Sequence, residues 1–74
     1  MILTFIGGGN MATALIGSLI ARGASASDFR VVEPFAEARD RLAAAYPGVR
    51  LHEAVGAEAL RGADVVVLAV KPQQ

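Results

Sequence analysis

The 74-residue chain has no cysteine and no tryptophan, carries no excess charge of either sign, and contains no apolar run long enough to span a bilayer. Without cysteine it has neither a disulfide nor a thiolate metal site, the usual staples of a small domain, and a chain this short buries only about 60% of its unfolded surface. Support from further chain or from a partner is therefore expected. The absence of cysteine does not by itself assign a redox compartment. Seven acidic side chains balance seven basic ones, which are scattered singly (Arg22, Arg30, Arg39, Arg41, Arg50, Arg61, Lys71). No stripe follows a phosphodiester backbone, which argues against nucleic acid. The strongest apolar runs, Met1 to Ile6 and Val65 to Val70, fall far short of the ~20 residues of a membrane span, and Met1-Ile2-Leu3 lacks the basic lead of a secretion signal. A cytoplasmic protein without membrane contact is expected.

What the chain has is apolar content, at 54%, which excludes disorder. It is arranged in one alternating pattern. Ile2 to Ile6 is a continuous apolar run with a β-branched and aromatic bias, as in a strand covered on both faces, and it stops at Gly7-Gly8-Gly9. Asn10 is a candidate N-cap for a helix in which Met11, Leu15 and Leu19 recur beside Ala12, Ile16 and Ile20, until Arg22-Gly23 closes it. Phe29 to Glu33 is a second strand, ended by Pro34. A second helix follows with Phe35, Ala38, Leu42 and Ala45 on one side and a Glu37–Arg41 surface pair, ended by Pro47-Gly48. Val49-Arg50-Leu51 reads as a weak third strand, Glu53 to Leu60 as a short helix closed by Gly62, and Val65 to Val70 as a fourth strand. The order β-α-β-α-β-α-β demands parallel strands, because crossovers of this length are what parallel pairing needs. The expected class is α/β, a Rossmann-like parallel sheet whose ligands sit at the carboxyl ends of the strands where the order reverses.

Gly7-Gly8-Gly9-Asn10-Met11-Ala12 fits G-x-G-x-x-A between a strand and a helix, the context that a dinucleotide fingerprint requires. Gly7 permits the tight turn, Gly9 admits a pyrophosphate to the backbone, and Ala12 lets helix and strand approach closely. The helix N-terminus then offers N–H groups and partial positive charge to the anion. Glu33 lies 21 residues beyond Ala12, where this pattern places a carboxylate on the adenosine ribose hydroxyls. Lys71, with Pro72 fixing the turn after it, stands at the carboxyl end of the fourth strand, on the edge that the cofactor crosses. Asn10 is open to two roles, helix cap or ligand contact. His52 has no neighbouring ligand set, so it reads as a surface residue, and no metal site is supported.

Phe5-Ile6-Gly7-Gly8-Gly9-Asn10-Met11-Ala12, together with Ala69-Val70-Lys71-Pro72-Gln73 after the fourth strand, resembles the pyrroline-5-carboxylate reductases along essentially the whole chain. The resemblance implies NADPH or NADH as cofactor and a small cyclic imine as substrate, reduced to proline. It implies that Ile6, Gly7, Gly8, Gly9, Asn10 and Met11 hold the pyrophosphate, and that Ala69, Val70 and Lys71 lie along the ribose and nicotinamide side. It also implies that residues 1–74 are a truncated N-terminal cofactor domain. The helical domain that makes the homo-oligomer and the substrate pocket would lie beyond Gln74, so no catalytic residue is assigned and the short chain alone is expected to be inactive.

Two departures from the family pattern bear on the cofactor. Gly56 stands where asparagine is frequent, which removes a side-chain contact, and Glu33 stands where serine, threonine or asparagine accepts a 2′-phosphate. Ala12 favours NADP and Glu33 favours NAD. Glu33 carries more weight because it would touch the discriminating group. The alternatives are a related deazaflavin, imine or 3-hydroxyacid reductase, a non-enzymatic dinucleotide-binding module, and an S-adenosylmethionine site.

Overall fold

The computed structural model describes residues 1–69. Within them β1 (Leu3–Ile6), α1 (Asn10–Ala21), β2 (Phe29–Val32), α2 (Ala36–Ala45), β3 (Arg50–His52), α3 (Ala57–Leu60) and β4 (Val65–Leu68) alternate, with a 3-10 turn at Ala26–Asp28 leading into β2. All pairings are parallel and the strand order is β3-β2-β1-β4. The chain thus steps outward from β1 to β3 and crosses back to place β4 on the other side of β1, so the order reverses at β1. This is the Rossmann-like α/β arrangement that the alternation of apolar runs implies.

Register separates the two sheet faces. Leu3 and Phe5 pair with Phe29 and Val31, and this face meets Ala12 and Ile16 of α1 and Leu42 of α2 in the main core. The Phe5 and Phe29 rings lie 6.3 Å apart and tilted, within the favourable range for aromatic pairs. On the opposite face Thr4 and Arg30 hold α3. The fully buried Thr4 hydroxyl donates to the Ala59 carbonyl at 2.6 Å, and the Arg30 guanidinium donates to the carbonyls of Glu58, Ala59 and Arg61. Loose carbonyls at the end of a one-turn helix would otherwise lack partners.

Several boundaries differ from the sequence expectation. The N-cap of α1 is Gly9, in an extended conformation and without a side-chain cap bond, and Asn10 is the first helical residue rather than the cap. The reason is the backbone path, since the Gly9 carbonyl already accepts the Thr13 N–H at 3.0 Å. Only the Ala12–Ile16 stripe is buried, with Leu19 and Ile20 packed beside it, while Met11 and Leu15 face outward. Phe35 is not on the apolar side of α2: it caps that helix, exposed, because its N–H bonds outside the helix to Glu33. Residues 53–56 are irregular, and α3 is a single turn. None of the described helices is long and apolar enough to cross a membrane.

Candidate functional site

The loop from β1 to α1 contains three glycines with three separate reasons. Gly7 has φ +107°, a backbone conformation that side chains resist, and its N–H donates to the Val32 carbonyl at 2.8 Å, tying the start of the loop to the end of β2. Gly8 is buried, and a Cβ on it would stand 3.1 Å from Glu33 Cβ, Leu42 Cδ1 and Val31 Cγ1. Gly9 is exposed, and a Cβ on it would meet no protein atom within 4 Å. The protein's own packing therefore does not demand glycine at position 9, whereas a ligand lying against that backbone would. Immediately after it, α1 begins with no side-chain cap and no acidic residue in its first turn, so its leading N–H groups point to the loop without an internal anion.

Glu33, one residue past β2, is 7% exposed. Its Oε1 accepts the Gly8 N–H at 2.8 Å and its Oε2 accepts the Phe35 N–H at 3.0 Å, while its own N–H donates to the His52 carbonyl at 2.8 Å. The carboxylate clasps the glycine loop to the β2–α2 turn. It is neither a solvated strand-end acid nor open to water, but each oxygen keeps a second acceptor position for a hydroxyl. Arg39 supports the same turn from below: it donates to the Glu33 and Pro34 carbonyls at 2.8 and 2.9 Å and lies 3.6 Å from the Glu53 carboxylate. Its guanidinium is thereby committed to structure.

These elements border a cleft of about 740 Å³ at the carboxyl ends of the strands, a volume in the usual range for cofactor sites. Ile6, Gly7, Gly8, Gly9, Glu33 and Ala69 line it, so the structure brings these six sequence-selected positions together from three strand ends. Asn10 and Met11 are exposed on the first turn of α1 next to it, and Val70 and Lys71 lie outside the described residues. Sequence reasoning overlooked Phe35, Glu37 and Arg41, which also line the cleft. A Glu37–Arg41 helix-surface pair was the signal available, but the two do not form an ion pair among the described residues, where the Arg39–Glu53 contact is the one found.

A parallel sheet that reverses at β1, a glycine loop entering an uncapped helix, and a carboxylate clasping that loop from the end of β2 define a Rossmann-like nucleotide-binding unit. Residues 2–74 match the family model described as NADP oxidoreductase coenzyme F420-dependent, and the chain belongs to this family. Its cofactor class is accordingly a nicotinamide dinucleotide. The chain is 48% identical over 71 residues to the pyrroline-5-carboxylate reductase of Pseudomonas aeruginosa, covering 96% of this chain and 25% of that protein. It is 42% identical over 74 residues to the pyrroline-5-carboxylate reductase of Pasteurella multocida, covering 96% of this chain and 26% of that protein. The chain thus spans about a quarter of the length of these curated relatives.

Proposed function

We propose that residues 1–74 form the N-terminal cofactor-binding part of a pyrroline-5-carboxylate reductase, a cytoplasmic homo-oligomer of proline biosynthesis whose helical domain completes the substrate pocket. The bare Gly9 backbone and uncapped α1 N-terminus on the wall of the cleft carry the cofactor reading, and the two reductases similar to it along 96% of its length supply the substrate. In this reading residues 6–11 hold the pyrophosphate. Glu33 meets the adenosine ribose through its remaining acceptor positions, and Ala69, Val70 and Lys71 lie beside the ribose and nicotinamide. The nicotinamide supplies the hydride for the cyclic imine, while this part of the protein supplies placement and electrostatics. Thermal unfolding with NADH, NADPH or S-adenosylmethionine tests it. Ligand at 100 times its dissociation constant adds ~2.7 kcal/mol. Stabilisation by a nicotinamide dinucleotide supports the reading, and stabilisation by S-adenosylmethionine alone overturns it.

We further infer a preference for NADH, or at least no strong preference for NADPH. With Glu53 paired to Arg39, the charged side chains left on the cleft wall among the described residues are Glu33 and Glu37 against Arg41. A 2′-phosphate, at about −1.5 to −2 charge, would meet more negative than positive charge on this described part of the wall.

A further inference from the structure

On the sheet face opposite α1 and α2, a second depression of about 270 Å³ is lined by Arg30, Arg50, His52, Glu58 and Arg61. It shares no lining residue with the dinucleotide cleft. Arg30 and Arg50 are register partners on β2 and β3, and like charges directly across a strand pair repel. Arg61 adds a third guanidinium just past α3. Glu58 is the single carboxylate of the lining, and it forms no ion pair with any of the three among the described residues. Arg30 is held in place by three carbonyls, so its fork is oriented before any ligand arrives. His52 Nε2 is buried and has no hydrogen-bond partner. Three guanidinium groups, one of them already oriented, thus line one small depression in which no carboxylate pairs with them among the described residues.

We propose that this depression is an anion site for one phosphate-class group, either free phosphate or the phosphoryl end of a small metabolite. Arginine forks match its oxygens with charge-assisted bonds from several sides, and His52 borders the site. The depression has about a third of the volume of the dinucleotide cleft, which suits a single phosphate group better than a whole dinucleotide.

His52 is the chain's one histidine, so its imidazole C–H signals in proton NMR report on this site alone. The 74-residue chain is titrated at fixed pH and ionic strength with inorganic phosphate, with glycerol 3-phosphate, and with chloride. A saturable His52 shift with inorganic phosphate and none with chloride is expected, and the size of the glycerol 3-phosphate response shows which source the site prefers. The double variant Arg50→Gln/Arg61→Gln, both positions being exposed, should weaken apparent phosphate affinity at least tenfold with an unfolding midpoint no lower than the parent's. A His52 signal that ignores both phosphates, that responds equally to chloride, or that titrates identically in the double variant overturns the site. So does a phosphate response confined to the amides of residues 8–11, which would place the ion on the glycine loop and leave the cofactor reading intact.

Discussion

Gly8 and Gly9 are adjacent and chemically identical, yet a side chain at each should do different damage. At Gly8 a Cβ would press on three carbons at 3.1 Å, two of them from buried β2 and α2 side chains. Gly8→Ala is expected to lower stability by about 1–3 kcal/mol, the range for overpacking, as read from denaturant unfolding. At Gly9 there is open space, so Gly9→Val should leave circular dichroism and unfolding nearly unchanged while abolishing measurable dinucleotide binding. Unaltered affinity in the folded Gly9 variant would remove the loop from the cofactor site. The G-x-G spacing made Gly9 legible in the sequence, but the packing role of Gly8 depends on Glu33, Leu42 and Val31 converging from distant segments. Glu33 was legible as a position and not as a conformation, because the path of the loop that brings the Gly8 N–H to its carboxylate is a tertiary fact. That clasp sharpens the cofactor test. Two charges at 4 Å repel by ~4 kcal/mol at an effective dielectric of 20 and ~1 kcal/mol in water, and Glu33, buried yet lining the open cleft, lies between the two. In the complete enzyme Glu33→Ser is expected to move the NADPH-to-NADH ratio of kcat/KM about tenfold towards NADPH. The freed Gly8 and Phe35 N–H groups should cost about 1–3 kcal/mol of stability, a loss that acts on both cofactors alike and cancels in the ratio. A parent enzyme strongly selective for NADPH, with an unchanged ratio in the variant, would show that Glu33 does not face the ribose.

At the scale of elements, the contact between α1 and the end of α2 rests on a position that looked unremarkable in sequence. A Cβ on Gly17 would lie 2.2 Å from the Tyr46 hydroxyl oxygen and 3.0 Å from Cζ, so the ring as a whole has to move, not the hydroxyl alone. Tyr46 is packed against the main core. Helix propensity favours alanine over glycine by about 1 kcal/mol in a helix interior, and displacement of the ring opposes it. Gly17→Ala is therefore expected to be neutral or destabilising in the parent and stabilising by up to about 1 kcal/mol in a Tyr46→Ala background. A double-mutant cycle should give a coupling above about 0.5 kcal/mol, the level expected of residues in contact; additive effects would show that the ring yields freely. The elements themselves were largely legible. Continuous apolar runs marked β1 and β4, and turn residues marked the ends of α1 and α2. What failed were local details decided by backbone bonding: Gly9 rather than Asn10 caps α1, Phe35 is drawn out of α2 by Glu33, and the β3–α3 connection stays irregular through residue 56.

For the whole molecule, the described sheet has two sides of unequal completeness. One face carries α1 and α2 over a core of Phe5, Ile16, Phe29, Val31 and Leu42, whereas β4 stands at the outer position with Val65, Val66 and Leu68 exposed. Parallel sheets of this kind are ordinarily covered on both faces, and an apolar edge strand is a site where further structure pairs. The curated relatives are about four times as long as this chain, which provides that structure in the proposed reductase. The cleft residues described in the chain are suited to holding phosphates and ribose: backbone N–H groups, a clasped carboxylate and small apolar side chains. Imine reduction also requires a group that orients the substrate carboxylate and a pocket that excludes water around the hydride path, tasks that fall to the helical domain in the proposed reading. Binding and turnover should consequently separate. The 74-residue chain is expected to gain thermal stability with a nicotinamide dinucleotide and to consume no NADH or NADPH when pyrroline-5-carboxylate is added, whereas the complete protein consumes cofactor in proportion to proline formed. Turnover by the short chain at a rate comparable with the complete protein would place the substrate site within residues 1–74. Binding by the complete protein and not by the short chain would show that the cleft is assembled only when the outer edge of β4 is covered, and binding by neither would overturn the cofactor reading.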